Sequence, residues 1–298
     1  MSRSLSTLTT AVLTLAAGAL VAGPVAIPNA SFESPTTLYA GPFVDSWQQA
    51  PSPYSQQTGV FLNLPPGDPS HITNCDGAQA AFFFASQQVA LFQDYDSTDY
   101  TNSTPTHAFD AAFEVGKSYT LTVGVIGGTN LAIPMQEGAT LELSLYYRDN
   151  AGDKHTAAAT TITNSGAAFG LPRQFVDYHV HLPTVQPGDA WAGRHIGVQF
   201  LSTVSPELEG GYWDLDNVRL FSAGAPALLD PVWTNGQFTF TLESDPGLRF
   251  EILATADLTL PLSNWTSLGT LTNTTGTAAF LDPEPLSARR FYQARQLP

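Results

Sequence analysis

The chain has 298 residues, 43% of them hydrophobic and only 12% charged, with 26 acids against 11 bases and a formal net charge of −15. Such a surface repels phosphate backbones and anionic membranes, and no basic cluster offsets it, so nucleic acid is excluded as an expected partner. Polarity is carried by Thr, Ser, Asn and Gln, and 24 Gly with 22 Pro favour sheets joined by turns over helices.

Residues 1–22, MSRSLSTLTTAVLTLAAGALVA, have the form of a secretory signal peptide: Arg3 gives a positive end and residues 8–21 an apolar run. The run is short for a membrane span, although a permanent N-terminal anchor is the alternative. Cleavage after Ala22 leaves Leu20 at the minus-three position, larger than usual. No second apolar stretch of membrane length follows, so the expected mature protein is secreted, extracellular or at the cell surface, without a membrane span. Cys75 is the single cysteine, which rules out an internal disulfide. It sits beside an acid in TNCDGAQ, an environment that suits a small, partly buried residue better than a reactive thiol.

Strand signals then recur: QAAFFFA (79–85), QVALFQD (88–94), SYTLTVGVI (118–126), ATLELSLYYRD (139–149), FVDYHVHL (175–182), HIGVQFLS (195–202) and YWDLDNVRLF (212–221). Turn-forming stretches such as PPGDPS and DNAGD separate them, and no segment of helical length holds a 3.6-residue period. The polar stretch 94–106 reads as a loop. The expected fold is all-β: a jelly-roll β-sandwich over 23–222, then a smaller C-terminal β-sandwich over 223–298. The boundary is placed at SAGAPALLDP (222–231), and Phe250, Ile252, Trp265, Phe280, Phe291 and Tyr292 are the expected core of the second unit.

YWDLDNVRL (212–220) poses a chemical question. On a strand, Asp214 and Asp216 share one face, opposite Trp213 and Leu215. Two like charges so placed repel unless a cation joins them or one takes a proton.

IPNASFESP (27–35), TGVF (58–61), CDGAQAAFF (75–83), EVGKSYTLTVGV (114–125) and YWDLDNVRL, in that order, resemble secreted jelly-roll domains akin to carbohydrate-binding modules (galactose-binding-like). The order is also similar to that of the Stig cyclases (hapalindole cyclases), calcium-dependent enzymes that rearrange and cyclise indole–isonitrile terpenoid precursors. The resemblance implies a structural Ca2+ held by Glu33 and Asp216, with Asp76 as a third carboxylate and the Asn29 carbonyl as a neutral oxygen. The alternative makes Glu33 and Asp216 turn acids bonded to backbone amides. It also implies that Asp214 matches a catalytic aspartate facing a hydrophobic pocket, where desolvation would raise its pKa. The alternative is a satisfied acid near the ion. The tail resembles a small β-domain that ends many exported bacterial proteins.

A sugar-binding surface would stack rings on flat aromatics. The candidates are Trp47, Tyr54, Tyr146 and Tyr212, then Tyr147 and Trp191, with Gln48 and Gln49 as polar partners and Trp47 expected to be exposed in VDSWQQAPSPY. His179 and His181 form an H-x-H pair that suits zinc or copper only if a third ligand, such as His155 or His195, joins them. No G-x-S-x-G elbow is present. The residues thus lead to a secreted, calcium-stabilised binding protein for carbohydrate or another small extracellular ligand, without catalysis. A Stig-cyclase-like enzyme using Asp214 as acid, and a structural or adhesive surface protein, are the alternatives.

Overall fold

The apolar alternation along the chain folds as strands throughout. The computed structural model describes residues 23–50, 57–97, 107–128, 134–170, 173–283 and 290–297; the expected signal peptide and Tyr54 lie outside them. In chain order the strands of the larger unit are β1 (Gly23–Val25), β2 (Ala40–Gly41), β3 (Gln48–Ala50), β4 (Thr58–Leu62), β5 (Gln79–Phe84) and β6 (Ala90–Gln93). They continue with β7 (Lys117–Ile126), β8 (Thr140–Arg148), β9 (Lys154–Thr163), β10 (Val176–Leu182), β11 (Gly197–Ser202) and β12 (Tyr212–Gly224). A seven-stranded sheet has the order β10-β7-β12-β5-β4-β2, with β1 also on β12; a five-stranded sheet has the order β3-β6-β11-β8-β9. Their inner faces enclose one core that includes Trp47, Phe83, Leu121, Leu143, Phe200 and Trp213. Each such side chain contributes roughly 1.5–3 kcal/mol by leaving water.

The smaller unit follows as β13 (Ala227–Thr234), β14 (Gln237–Glu243), β15 (Arg249–Thr255), β16 (Thr266–Thr272), β17 (Thr277–Leu281) and β18 (Phe291–Leu297). They form two three-stranded sheets, β13-β14-β17 and β16-β15-β18. Phe240, Leu242, Phe250, Ile252 and Leu253 are buried there, whereas Trp265, Phe280, Phe291 and Tyr292 are only half-buried. The stretch read as a boundary is mostly strand: β12 runs to Gly224 and β13 starts at Ala227. The Gly224 N–H donates to the Asp245 carboxylate at 3.0 Å and the Ala225 N–H to the Gly116 carbonyl at 2.9 Å, tying the strand join down.

Strand β12 is central to the site and is not regular. Trp213 and Leu215 point into the core, as do Val218 and Leu220, so the inward set skips from even spacing to a gap of three. A bulge between Asp216 and Arg219 absorbs the extra residue, with Asn217 at φ 52°. Asn tolerates this left-handed conformation better than a branched residue would.

Candidate functional site

The outer face of the seven-stranded sheet carries the candidate site. Asp214 pairs across β12 with Phe82 on β5 and Ile126 on β7, and Tyr212 pairs with Phe84. Phe82 in turn lies opposite Gly59 on β4. Directly opposed residues on one face meet side chain to side chain, so the triple Phe82-Phe83-Phe84 sends one ring into the core and two onto the outer face. There Phe61, Phe82, Phe84, Tyr212 and Asp214 line a cavity of about 350 Å3. Gly59 makes room for it: a Cβ at this position would stand 2.6 Å from the Phe82 ring and 2.1 Å from the Gly41 carbonyl oxygen.

Asp214 is 3% exposed, and its Oδ1 has no hydrogen-bond partner among the described residues. Desolvation pushes its pKa well above the ordinary carboxylate value. A second cavity of about 240 Å3 shares Phe61, Tyr212 and Asp214 with the first and adds Asn63, Ser70, Ile126 and Arg173. One buried acid therefore stands between an aromatic lobe and a more polar lobe.

Asp216, two residues on, has a different fate. It is fully buried; its Oδ2 accepts from the Asp76 N–H at 2.6 Å and its Oδ1 from the Asn217 N–H at 2.7 Å. Burial raises its pKa to about 7, against those two backbone bonds that lower it. Glu33 joins from the N-terminal segment, where its Oε1 accepts from the Ala78 and Gln79 N–H groups at 2.9 and 2.8 Å. Gly77, at φ 99°, permits this approach, since a Cβ there would lie 2.4 Å from Glu33 Oε1. The Ser31 hydroxyl donates to Asp76 Oδ2 at 2.8 Å. The Cys75 thiol sits in the same cluster, and burial, then the charge of Asp216, holds it protonated far above its usual pKa.

These three carboxylates come from three separate segments and form no ion pair with Lys, Arg or His among the described residues. Hard oxygens without a counter-charge suit calcium in donor chemistry. They do not amount to a finished shell. No group of three or more His, Cys, Asp or Glu stands at metal-holding spacing among the described residues, and backbone amides already occupy Glu33 and Asp216. Asn29 is engaged in its own turn: its Oδ1 accepts from the Ser34 N–H, its Nδ2 donates to the Ser34 and Asp45 carbonyls, and its carbonyl accepts from Phe32 N–H and Trp47 Nε1.

Residues 23–221 match the family model described as HpiC1 cyclase (HpiC1-like). The chain belongs to the HpiC1-like family. Solved structures similar to it include the Stig cyclase Fisc from Fischerella sp. TAU in complex with (3Z)-3-(1-methyl-2-pyrrolidinylidene)-3H-indole. The two are 21% identical over 68% of this chain and 99% of that one, with a TM-score of 0.48. The CBM22-1–CBM22-2 tandem domain of Paenibacillus barcinonensis Xyn10C is 13% identical over 95% and 92% of the two chains, with a TM-score of 0.38. No curated protein matches.

In this HpiC1-like chain the expected aromatic candidates among the described residues do not share one exposed platform. Trp47 is fully buried, not exposed: it packs on Phe32 and Phe200 at ring distances of 5.5 and 5.2 Å and donates Nε1 to the Asn29 carbonyl. The turn at Ser46, φ 70°, rotates it inward just before β3. Gln48 and Gln49 are buried as well, and Gln49 donates to the Thr58 hydroxyl at 2.7 Å. Tyr146 is buried on the outer side of the five-stranded sheet beside Phe92, under Lys154, with its hydroxyl bonded to Asp94. Tyr147 stacks on His155, and Trp191 packs against the core. Of the aromatic candidates, Tyr212 borders the cavity.

The histidines are dispersed. His179 and His181 share a face but contact Thr122 and Thr120; His155 pairs with Asp149, and His195 with Asp96 and Asp110. Reading the sequence missed Phe61, Phe82, Phe84 and Arg173. The available signal was FFF itself, because three rings in succession make both faces of a strand apolar.

Proposed function

We propose that the protein is an acid-type cyclase acting on an apolar, unsaturated ligand, with Asp214 as proton donor. The observation that supports this reading is the buried Asp214 carboxyl, one oxygen without a partner among the described residues, facing a cavity walled by Phe61, Phe82, Phe84 and Tyr212. A carboxyl held neutral can give its proton to a ligand double bond: the O–H bond breaks as a C–H bond forms, leaving a carbocation. Ring faces stabilise the cation through their quadrupoles, and the apolar walls keep out water that would trap it. Ring closure moves the positive charge, and the Asp214 carboxylate removes a proton to restore itself. Family membership and the resemblance suggest an indole–isonitrile terpenoid as substrate.

A sugar would need several polar partners, and among the described residues the aromatic lobe offers Asp214 and Tyr212 alone. This favours the cyclase reading over carbohydrate binding. We also propose that calcium, bound by Glu33, Asp76 and Asp216, has a structural role in an exported protein, where it would neutralise Asp216 and leave Asp214 to the ligand.

Incubation with a prenylated indole isonitrile tests the activity. The expected product is a cyclised isomer of unchanged mass. Asp214→Asn, which keeps shape and removes the acid, is expected to slow its formation by a factor on the order of 10^2 to 10^4. Equal rates in the variant and the wild type would remove Asp214 from the chemistry.

A further inference from the structure

We propose that Lys154 is a nucleophilic amine that condenses with small aldehydes to form an imine. It stands on the outer side of the five-stranded sheet, away from the Asp214 cavity, and does not depend on the chemistry proposed there.

The chain has two lysines, Lys117 and Lys154, and the fold treats them differently. Lys117 pairs with Glu114 at 2.9 Å. Lys154 pairs with no carboxylate among the described residues. Its Nζ lies 3.2 Å from the Phe92 ring centroid and 4.9 Å from that of Tyr146, and it donates to the neutral Gln199 Oε1 at 2.8 Å.

Strand register builds this well. Phe92 on β6 lies opposite Gln199 on β11, and Tyr146 on β8 lies opposite Gly197. The Tyr146 ring lies across Gly197, where a Cβ would stand 2.3 Å from it. Lys154 itself is opposite Arg148, and like charges directly opposed on a ladder repel. The nearby carboxylate serves the other cation: Asp94 Oδ2 accepts from Arg148 Nε and Nη2 at 3.1 and 3.0 Å and from the Tyr146 hydroxyl.

An ammonium has three N–H groups to place. Among the described residues the surroundings of Nζ supply one oxygen and the Phe92 ring face. A neutral amine needs no more than these two, and its lone pair is left for an electrophile. Burial, then the charge of Arg148, lowers the pKa to about 7, against the opposing charge of Asp94. Desolvation and a neighbouring cation are the means by which lysines become nucleophiles. Lys154 is only partly buried, at the start of the edge strand β9, so a small carbonyl compound can reach it. The nitrogen attacks the carbonyl carbon and a C–N bond forms. The oxygen then takes both amine protons and leaves as water, and the C=N bond closes.

Reductive trapping on the full chain tests this, with butyraldehyde and cyanoborohydride and the alkylated lysines identified by peptide mass spectrometry. At pH 7 Lys154 is expected to react about tenfold or more faster than Lys117, the internal reference. The ratio should shrink by pH 10, where an ordinary lysine also loses its proton. Gln199→Glu, which sets a carboxylate beside Nζ and keeps it charged, should slow Lys154 at pH 7 by about tenfold and leave Lys117 unchanged. Equal rates at pH 7, an unreactive Lys154, a ratio identical at pH 7 and pH 10, or a Lys154 rate unmoved in a folded Gln199→Glu would each overturn the proposal. If the variant does not fold, the wild-type pH profile decides it alone.

Discussion

At residue scale, one strand resolves its paired acids by giving each a different environment. Asp214 loses water to aromatic walls, while Asp216 is met by two backbone N–H groups. Gly59 is the silent partner of the first arrangement. Gly59→Ala forces Cβ into the Gly41 backbone and the Phe82 ring, and overpacking of this kind costs about 1–3 kcal/mol. The expected outcome is a lower unfolding midpoint in urea together with weaker ligand binding, as Phe82 is driven into the cavity.

Lys154 is the other unusual titrating group. Desolvation, then the charge of Arg148, lowers its pKa to about 7. The Phe92 ring face, 3.2 Å from Nζ to the centroid, favours the charged form and offsets part of that effect. The folded state thus holds this proton less tightly than the unfolded chain, whose lysine titrates near 10.4. Stability from this group therefore rises as pH increases from about 7 toward the unfolded value, and the charged form penalises the fold below that window. Lys154→Met should raise the thermal midpoint most at pH 6, and its advantage over the wild type should shrink by pH 10. An advantage that does not vary with pH would assign the effect to packing alone.

At element scale, β12 shows what sequence patterning conveys and where it stops. Alternation places Trp213 and Leu215 opposite the two aspartates, and the structure has them so. The spacing to Val218 and Leu220 requires a bulge, taken up at Asn217. Asn217→Val should destabilise by about 1–2 kcal/mol, the cost of left-handed backbone for a branched residue, whereas Asn217→Gly should be close to neutral in the same denaturation experiment.

Strand β9 gave no signal, because KHTAAATTIT offers only Ile162 as a large buried side chain. Two of the aromatic candidates, Trp47 and Tyr146, are buried for a related reason: their place depends on turns and on neighbours distant in sequence, such as Phe200 and Asp94. Arg173 could not be read as lining the second cavity because its place depends on the loop that contributes Thr73.

At the scale of the whole molecule, the carboxylate cluster joins the N-terminal segment, the turn after β4 and the last strand of the larger sandwich. A cation there would cross-link parts of the chain far apart in sequence and stabilise the native state by mass action. Chelation is expected to lower the thermal midpoint of the larger unit and spare the smaller one, and Asp216→Asn should abolish the response. An unchanged midpoint on chelation would mean that the backbone amides of the 76–79 turn and of Asn217 suffice to support Glu33 and Asp216.

The aromatic cavity around Asp214 is the feature on which the functional account depends. Its most direct test is a crystal structure of the full chain grown with a saturated, unreactive indole–terpenoid analogue and a xylo-oligosaccharide together. The account predicts the analogue between Phe82, Phe84 and Tyr212, with an acceptor atom within hydrogen-bond distance of the Asp214 carboxyl. An empty cavity, or the oligosaccharide in it, would contradict the account.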